Sequence, residues 1–209
     1  MNYDDFFADA LVPLRHERRY RIFAELERIA GRFPYATWRS SAGPREVVIW
    51  CSNDYLGMGQ HPKVIGAMVE TATRVGTGAG GTRNIGGTNS ALVALERELA
   101  DLHGKAAALV FTSGYVSNQT GISTIARLIP GCLILSDELN HNSMIEGVRG
   151  SGLEKKIWRH NDVADLERLL AAAAPGRPRL IVFESLYSMD GSVAPCCSGP
   201  AHLRPRRVL

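Results

Sequence analysis

The run Ser136-Asp-Glu-Leu-Asn-His-Asn-Ser-Met-Ile-Glu-Gly-Val-Arg-Gly-Ser151 puts a histidine, two asparagines and three serines after the apolar stretch 132–135. In an open α/β sheet, ligands bind beyond the carboxyl ends of the strands, so a polar cluster at such an exit is placed to hold one. His141 can stack on a flat heteroaromatic ring while its nitrogens hydrogen-bond. A satisfied loop histidine is the commoner fate of an isolated imidazole, so position carries the argument. A second cluster, Glu184-Ser-Leu-Tyr-Ser-Met-Asp-Gly191, closes a later apolar run with further hydroxyls. One such cluster could be a plain turn; two at neighbouring strand ends suggest a site.

Thr112-Ser-Gly-Tyr115 follows the apolar run 106–111 and opens a helix. The free N–H groups of a helix start, with a serine beside them, suit a phosphate. Gly76-Thr-Gly-Ala-Gly-Gly81 formally fits the dinucleotide pattern, but that fingerprint must follow a strand and open a helix. Here a helical pattern precedes it. The continuation Gly80-Gly-Thr-Arg-Asn-Ile-Gly-Gly87 interleaves polar side chains with glycines, which lets backbone approach a ligand closely. Arg21 lies in the basic, aromatic segment Arg18-Arg-Tyr-Arg21, which on its own residues reads as a solvated helix face. There is no metal-ligand constellation, no P-loop and no nucleophile elbow.

The elements that must position these groups alternate. A helical pattern covers 3–32, with Phe23, Leu26 and Ile29 on one face, and a strand is expected over 46–51. Helices are expected over 62–75, where Pro62 takes a favoured first-turn position, and from Thr88 or Asn89 to Gly104, with Leu92, Leu95, Leu99 and Leu102 on one face. Strands at 106–111, 132–135, 156–159 and 179–184 then alternate with helices at 116–128, 143–149 and 162–174, Asp162 lying near a cap. That order predicts an α/β fold with a mainly parallel sheet and flanking helices.

Composition narrows the class. The 209 residues carry a net charge of +3, and the basic groups are scattered rather than gathered into a stripe, which disfavours nucleic acid. No apolar run approaches the roughly 20 residues that span a bilayer, and the acidic start Met1-Asn-Tyr-Asp-Asp lacks the features of a signal peptide. Cys51 and Cys132 read as buried thiols among apolar neighbours, and a cytoplasmic enzyme is the expectation. Lysine occurs only at positions 63, 105, 155 and 156.

Taken together, these stretches resemble the α-oxoamine synthase family of pyridoxal-phosphate enzymes over residues 3–195. The resemblance is carried by Arg19-Tyr-Arg-Ile-Phe23, Trp50-Cys-Ser-Asn-Asp-Tyr-Leu-Gly-Met-Gly59, Gly78-Ala-Gly-Gly-Thr-Arg-Asn-Ile85 and Leu102-His-Gly-Lys105. It continues through Phe111-Thr-Ser-Gly-Tyr115, Leu139-Asn-His141, Ser143-Met-Ile-Glu-Gly147, His160-Asn-Asp162 and Glu184 to Gly191. The N-terminal run and the Gly-Thr-Arg-Asn-Ile loop favour the branch that joins glycine to succinyl-CoA, releasing coenzyme A and carbon dioxide in the first step of tetrapyrrole (heme and porphyrin) synthesis. Branches of the 8-amino-7-oxononanoate or 2-amino-3-ketobutyrate type are the alternative, as is a non-catalytic, lysine-free partner subunit.

The resemblance implies pyridoxal 5'-phosphate as cofactor, with His141 stacked on its ring, Ser113, Gly114 and Tyr115 on its phosphate, and Ser188 in contact with it. It implies Arg21 and Thr82 on the succinyl carboxylate, matching the bidentate fit of arginine to carboxylates. Asn53 and Asn84 would line the substrate site across a homodimer interface, and Ser136 and Lys155 would meet the coenzyme A thioester. The organisation implied is a helical N-terminal segment over 1–45, the truncated large domain of a fold-type I transferase over 46–194, and an unpatterned tail over 195–209. The tail reads either as flexible or as an interrupted or frame-shifted continuation of a longer chain.

Two departures stand out. Leu92 occupies a position where the family carries histidine. The family's Schiff-base lysine, its pyridinium-pairing aspartate and a further cofactor histidine all fall beyond residue 195, and none of the four lysines sits in the expected motif. The 209 residues alone are therefore expected to be inactive.

Overall fold

The computed structural model describes residues 2–195, so the expected tail lies outside the described residues except for Pro195. Contacts divide the chain into two units, one ending at Thr82 and one beginning at Arg83.

In the first unit, helix α1 (Tyr3–His16) is capped by the Asn2 side chain, which accepts from the Asp4 N–H at 3.1 Å. Asp4 and Asp5 in its first turn and Arg15 and His16 in its last complement the helix dipole. The helix expected to run to residue 32 stops there. Leu26 belongs instead to strand β1 (Leu26–Arg28), which pairs antiparallel with β2 (Tyr35–Ser40), and β2 turns through Ser41 and Ala42 into β3 (Gly43–Val48). Helical spacing of Phe23, Leu26 and Ile29 was misleading because long-range pairing decides a three-residue edge strand. Tyr35, Thr37 and Trp38 supply the β-forming side chains that β1 lacks. The strand expected at 46–51 ends three residues sooner, and Cys51, read as buried, is exposed. Helix α2 (Pro62–Val75) begins at the expected proline, behind a His61 cap.

In the second unit, α3 (Ser90–Leu102) is capped by Asn89, whose side chain accepts from the Leu92 N–H at 2.9 Å. No strand forms over 106–111, a correction to the expectation. The Val110 N–H donates to Glu96 Oε1 at 2.8 Å, so a side chain on α3 takes the place of a neighbouring strand. Helix α4 (Gly114–Leu128) follows, then β4 (Leu133–Asp137), α5 (Asn142–Ser151), β5 (Lys155–Trp158), α6 (Val163–Ala171) and β6 (Arg179–Val182).

The three strands form a parallel sheet in the order β5-β4-β6. Central β4 is buried throughout, as a parallel strand covered on both faces must be. Ile134 packs with Ala126, Val148 and Val182 under α4 and α5. Leu133 and Leu135 point the other way, onto Trp158 and the Leu166, Leu169 and Leu170 face of α6. This is the mainly parallel α/β architecture expected. Among the described residues no helix is long and apolar enough to cross a membrane.

Helices α4 and α5 are brought close by one residue. A Cβ on Gly147 would lie 2.9 Å from the Asn118 carbonyl oxygen and 3.1 Å from that of Gln119. Only glycine permits this approach, which fixes the starts of both helices at the carboxyl end of β4.

Candidate functional site

At the start of α4, the Ser113 hydroxyl accepts from the Val116 N–H at 3.2 Å. The Gly114 and Tyr115 N–H groups ahead of it have no partner among the described residues. Ser113, Gly114 and Tyr115 are all exposed, and a Cβ on Gly114 would meet no atom within 4 Å. Exposed donors at the positive end of a helix of 15 residues suit an oxyanion.

His141 is the N-cap of α5, and its Nδ1 accepts from the Ser143 N–H at 3.2 Å. The Ser143 hydroxyl lies 2.7 Å from the same nitrogen, while Asn118 Nδ2 donates to that hydroxyl at 3.0 Å. The Ser143 proton is therefore directed at Nδ1. Two donors on Nδ1 select the tautomer protonated at Nε2, leaving an N–H aimed outward. The ring meets Tyr115 edge to face, with centroids 6.2 Å apart and planes at 76°. Asn142 Nδ2 donates to the Tyr115 hydroxyl at 2.7 Å, and the His141 N–H donates to Glu184 Oε1 at 2.6 Å. The ring thus stands exposed beside the open helix start, held from α4, α5 and the exit of β6.

Beneath it lies a buried polar layer. Asn140 Nδ2 donates to Ser136 Oγ at 2.9 Å and to the Val182 carbonyl at 2.8 Å. Asp137, 2% exposed, accepts from the Leu139 N–H at 2.9 Å, the Asn161 N–H at 3.1 Å and His160 Nδ1 at 2.9 Å. Burial alone would raise the Asp137 carboxyl, but these donors outweigh it and hold it below its usual range. Asn161 reaches Asp137 by adopting a left-handed φ of 55°, which asparagine tolerates. His160 Nε2 lies 2.8 Å from Ser192 Oγ, and its ring meets buried Tyr187 at 4.4 Å. Burial and the charge of Asp137 push the Tyr187 phenol upward.

The expected residues fall into three groups. Ser113, Gly114, Tyr115 and His141 come together as described. Arg21, Asn53 and Thr82 are exposed in the first unit, and Asn84, Lys155 and Ser188 are exposed in the second. Ser136, expected against a thioester, is instead buried, its hydroxyl engaged with Asn140. Lys155 pairs with Ile134, three positions before the end of β4, or roughly 10 Å from the polar cluster along the strand. Leu92 is half-buried on α3, its N–H taken by the Asn89 cap.

Sequence reasoning gave no role to Asp137, His160, Ser143, Tyr187 or Arg83. Arg83 holds Glu96 through two hydrogen bonds of 2.6 and 2.9 Å, and Thr88 Oγ donates to the Arg83 carbonyl at 2.9 Å, so the residue before Asn84 is anchored twice. The pairing lowers the Glu96 carboxyl to about 2. The one available signal was register. Residues 137 and 158 are partners on parallel strands, so titratable groups just beyond them must meet.

Comparison with known proteins bears on the family and the fold. The family model for aminotransferase class I and II matches residues 45–197. The 5-aminolevulinate synthase of Bradyrhizobium diazoefficiens is 75% identical over 93% of this chain and 48% of its own length. That of Rhizobium meliloti is 57% identical with the same coverage. A high-resolution structure of SPT with its PLP internal aldimine superposes with a TM-score of 0.79 at 29% identity, over 90% of this chain and 47% of that one. The chain spans about half the length of the curated relatives it matches.

Proposed function

Because this chain belongs to the aminotransferase class I and II family, we propose that it supplies part of a 5-aminolevulinate synthase, condensing glycine with succinyl-CoA to 5-aminolevulinate, coenzyme A and carbon dioxide. The observation that carries the reading is the open start of α4 beside the exposed, tautomer-fixed ring of His141. Those groups fit pyridoxal phosphate, which when bound supplies an electron sink for a glycine carbanion. The Ser113 hydroxyl and the Gly114 and Tyr115 amides would hold its phosphate. The His141 ring would cover one face of the pyridine, offering its Nε2–H outward. Ser188 would close on the cofactor from the turn after β6.

The substrate roles are part of the same proposal. Arg21 and Thr82 would take the succinyl carboxylate, while Asn53 and Asn84 would act across the interface of a cytoplasmic homodimer. Lys155 would meet the anionic coenzyme A. Ser136 would act from within, by keeping Asn140 on β4. No lysine here occupies the Schiff-base position by resemblance, so binding by these residues alone is proposed to be noncovalent and turnover absent.

The test is a chimera in which residues 1–195 replace the matching stretch of the Bradyrhizobium relative. It should form 5-aminolevulinate from glycine and succinyl-CoA, while the 209-residue polypeptide alone should not. A folded chimera that prefers alanine or serine to glycine, or turnover by the polypeptide alone, would overturn the assignment.

A further inference from the structure

One cluster, buried at Asp137 and half-buried at His160 and Ser192, has no part in the roles above. Asp137 ends β4, His160 stands two residues beyond β5, and Ser192 lies in the turn after β6, so a single imidazole joins the exits of all three strands. The bond to Asp137 places a proton on Nδ1, and Nε2 then accepts from the Ser192 hydroxyl at 2.8 Å or from Asn161 Nδ2 at 3.0 Å. The Ser192 hydroxyl has one proton, for which Nε2 at 2.8 Å and Asp190 Oδ1 at 2.9 Å compete. The turn is closed by the Tyr187 N–H on the Ser192 carbonyl at 2.9 Å and the Gly191 N–H on the Tyr187 carbonyl at 3.0 Å. His160 grips both ends of this turn, Tyr187 by its ring at 4.4 Å and Ser192 by Nε2. Ser188, between those ends, is exposed.

We propose that His160 is a positioning residue, a latch that sets the 187–192 turn so that Ser188 meets the cofactor. The inference rests on the cofactor reading above for the role of Ser188, but the latch itself does not. Asparagine at 160 keeps a donor for Asp137 and gives up the reach to Ser192, which separates folding from positioning.

In the 209-residue polypeptide, His160→Asn should speed hydrogen exchange at the Tyr187 and Gly191 amides about tenfold or more and leave Ile122 on α4 unchanged. Ser192→Ala, which removes the far end of the latch together with the hydroxyl's bond to Asp190, should do the same and serves if His160→Asn unfolds. Unchanged exchange at those two amides in the folded variants would overturn the latch. Pyridoxal phosphate titrations then read its purpose. His160→Asn and Ser188→Ala should each weaken affinity about tenfold, and the double variant by about tenfold in total rather than a hundredfold, because coupled residues are not additive. Additive losses would show that His160 does not act through Ser188. If the parent chain binds no pyridoxal phosphate, the cofactor reading fails, and with it the role of Ser188, while the exchange result still decides the latch.

Discussion

The Asp137 carboxylate and the His160 imidazole meet at 2.9 Å just beyond the paired ends of two parallel strands, in a layer where Asp137 is 2% exposed. Its donors come from the segment that leads to His141 and from the turn after β5. The same imidazole meets Tyr187 and Ser192, which flank Ser188 in sequence.

Asp137→Asn removes the charge from this floor while keeping its size. Hydrogen bonds to a buried charge contribute about 1.5–3 kcal/mol, and the variant should lose stability on that scale at pH 7 in urea denaturation. The folded carboxyl lies below its unfolded value of about 3.9. Its stabilisation is thus complete above that value and is lost as pH falls through the folded one. The gap between parent and variant should narrow on acidification. A gap that is constant down to pH 3 would show that another group is responsible.

Gly147→Ala should force α5 away from α4, because the new methyl meets carbonyl oxygens at 2.9 and 3.1 Å. Overpacking of this kind costs about 1–3 kcal/mol. Gly150→Ala, on the same helix, meets only the Ser123 Cβ at 3.9 Å and should be neutral or slightly stabilising. Equal melting temperatures for the two variants would contradict the close-approach argument.

Much of this was legible in advance. Strand β4, helix α2 from Pro62, the Asn89 cap and the parallel sheet all follow from local patterns in hydrophobicity and capping. The pairing of β1 with β2 did not, since nothing near Phe23 or Leu26 reveals that Trp38 will pair with Leu26. Nor did the missing strand at 106–111, where the apolar run is clear but Glu96, fourteen residues back, takes its Val110 amide. Within the site, His141 was legible from position. Its tautomer was not, because Asn118 and Ser143 fix it from two different helices.

Ser143→Ala removes one of the two donors that select that tautomer. The loss of an oriented donor should weaken pyridoxal phosphate binding several-fold, about 1 kcal/mol for one hydrogen bond. Titration at pH 7 gives the comparison. Affinity equal to that of the parent would mean that the ring needs no such orientation.

Glu96→Gln should free the segment before α4. The carboxyl, held at about 2 by Arg83, is ionised throughout the physiological range, so its support should persist until pH falls towards that value. In the variant the Val110 amide should exchange faster at pH 7. Retained protection would place the anchor elsewhere.

The central claim is a phosphate-bearing pyridine ring between the start of α4 and His141. Its most direct measurement is induced circular dichroism in the absorption band of pyridoxal phosphate, titrated into the 209-residue polypeptide and its His141→Ala variant. The account predicts a saturable signal in the parent, competed by inorganic phosphate, and a loss of affinity of about tenfold or more in the variant. No saturable signal in the folded parent, or identical titrations for the two proteins, would contradict it.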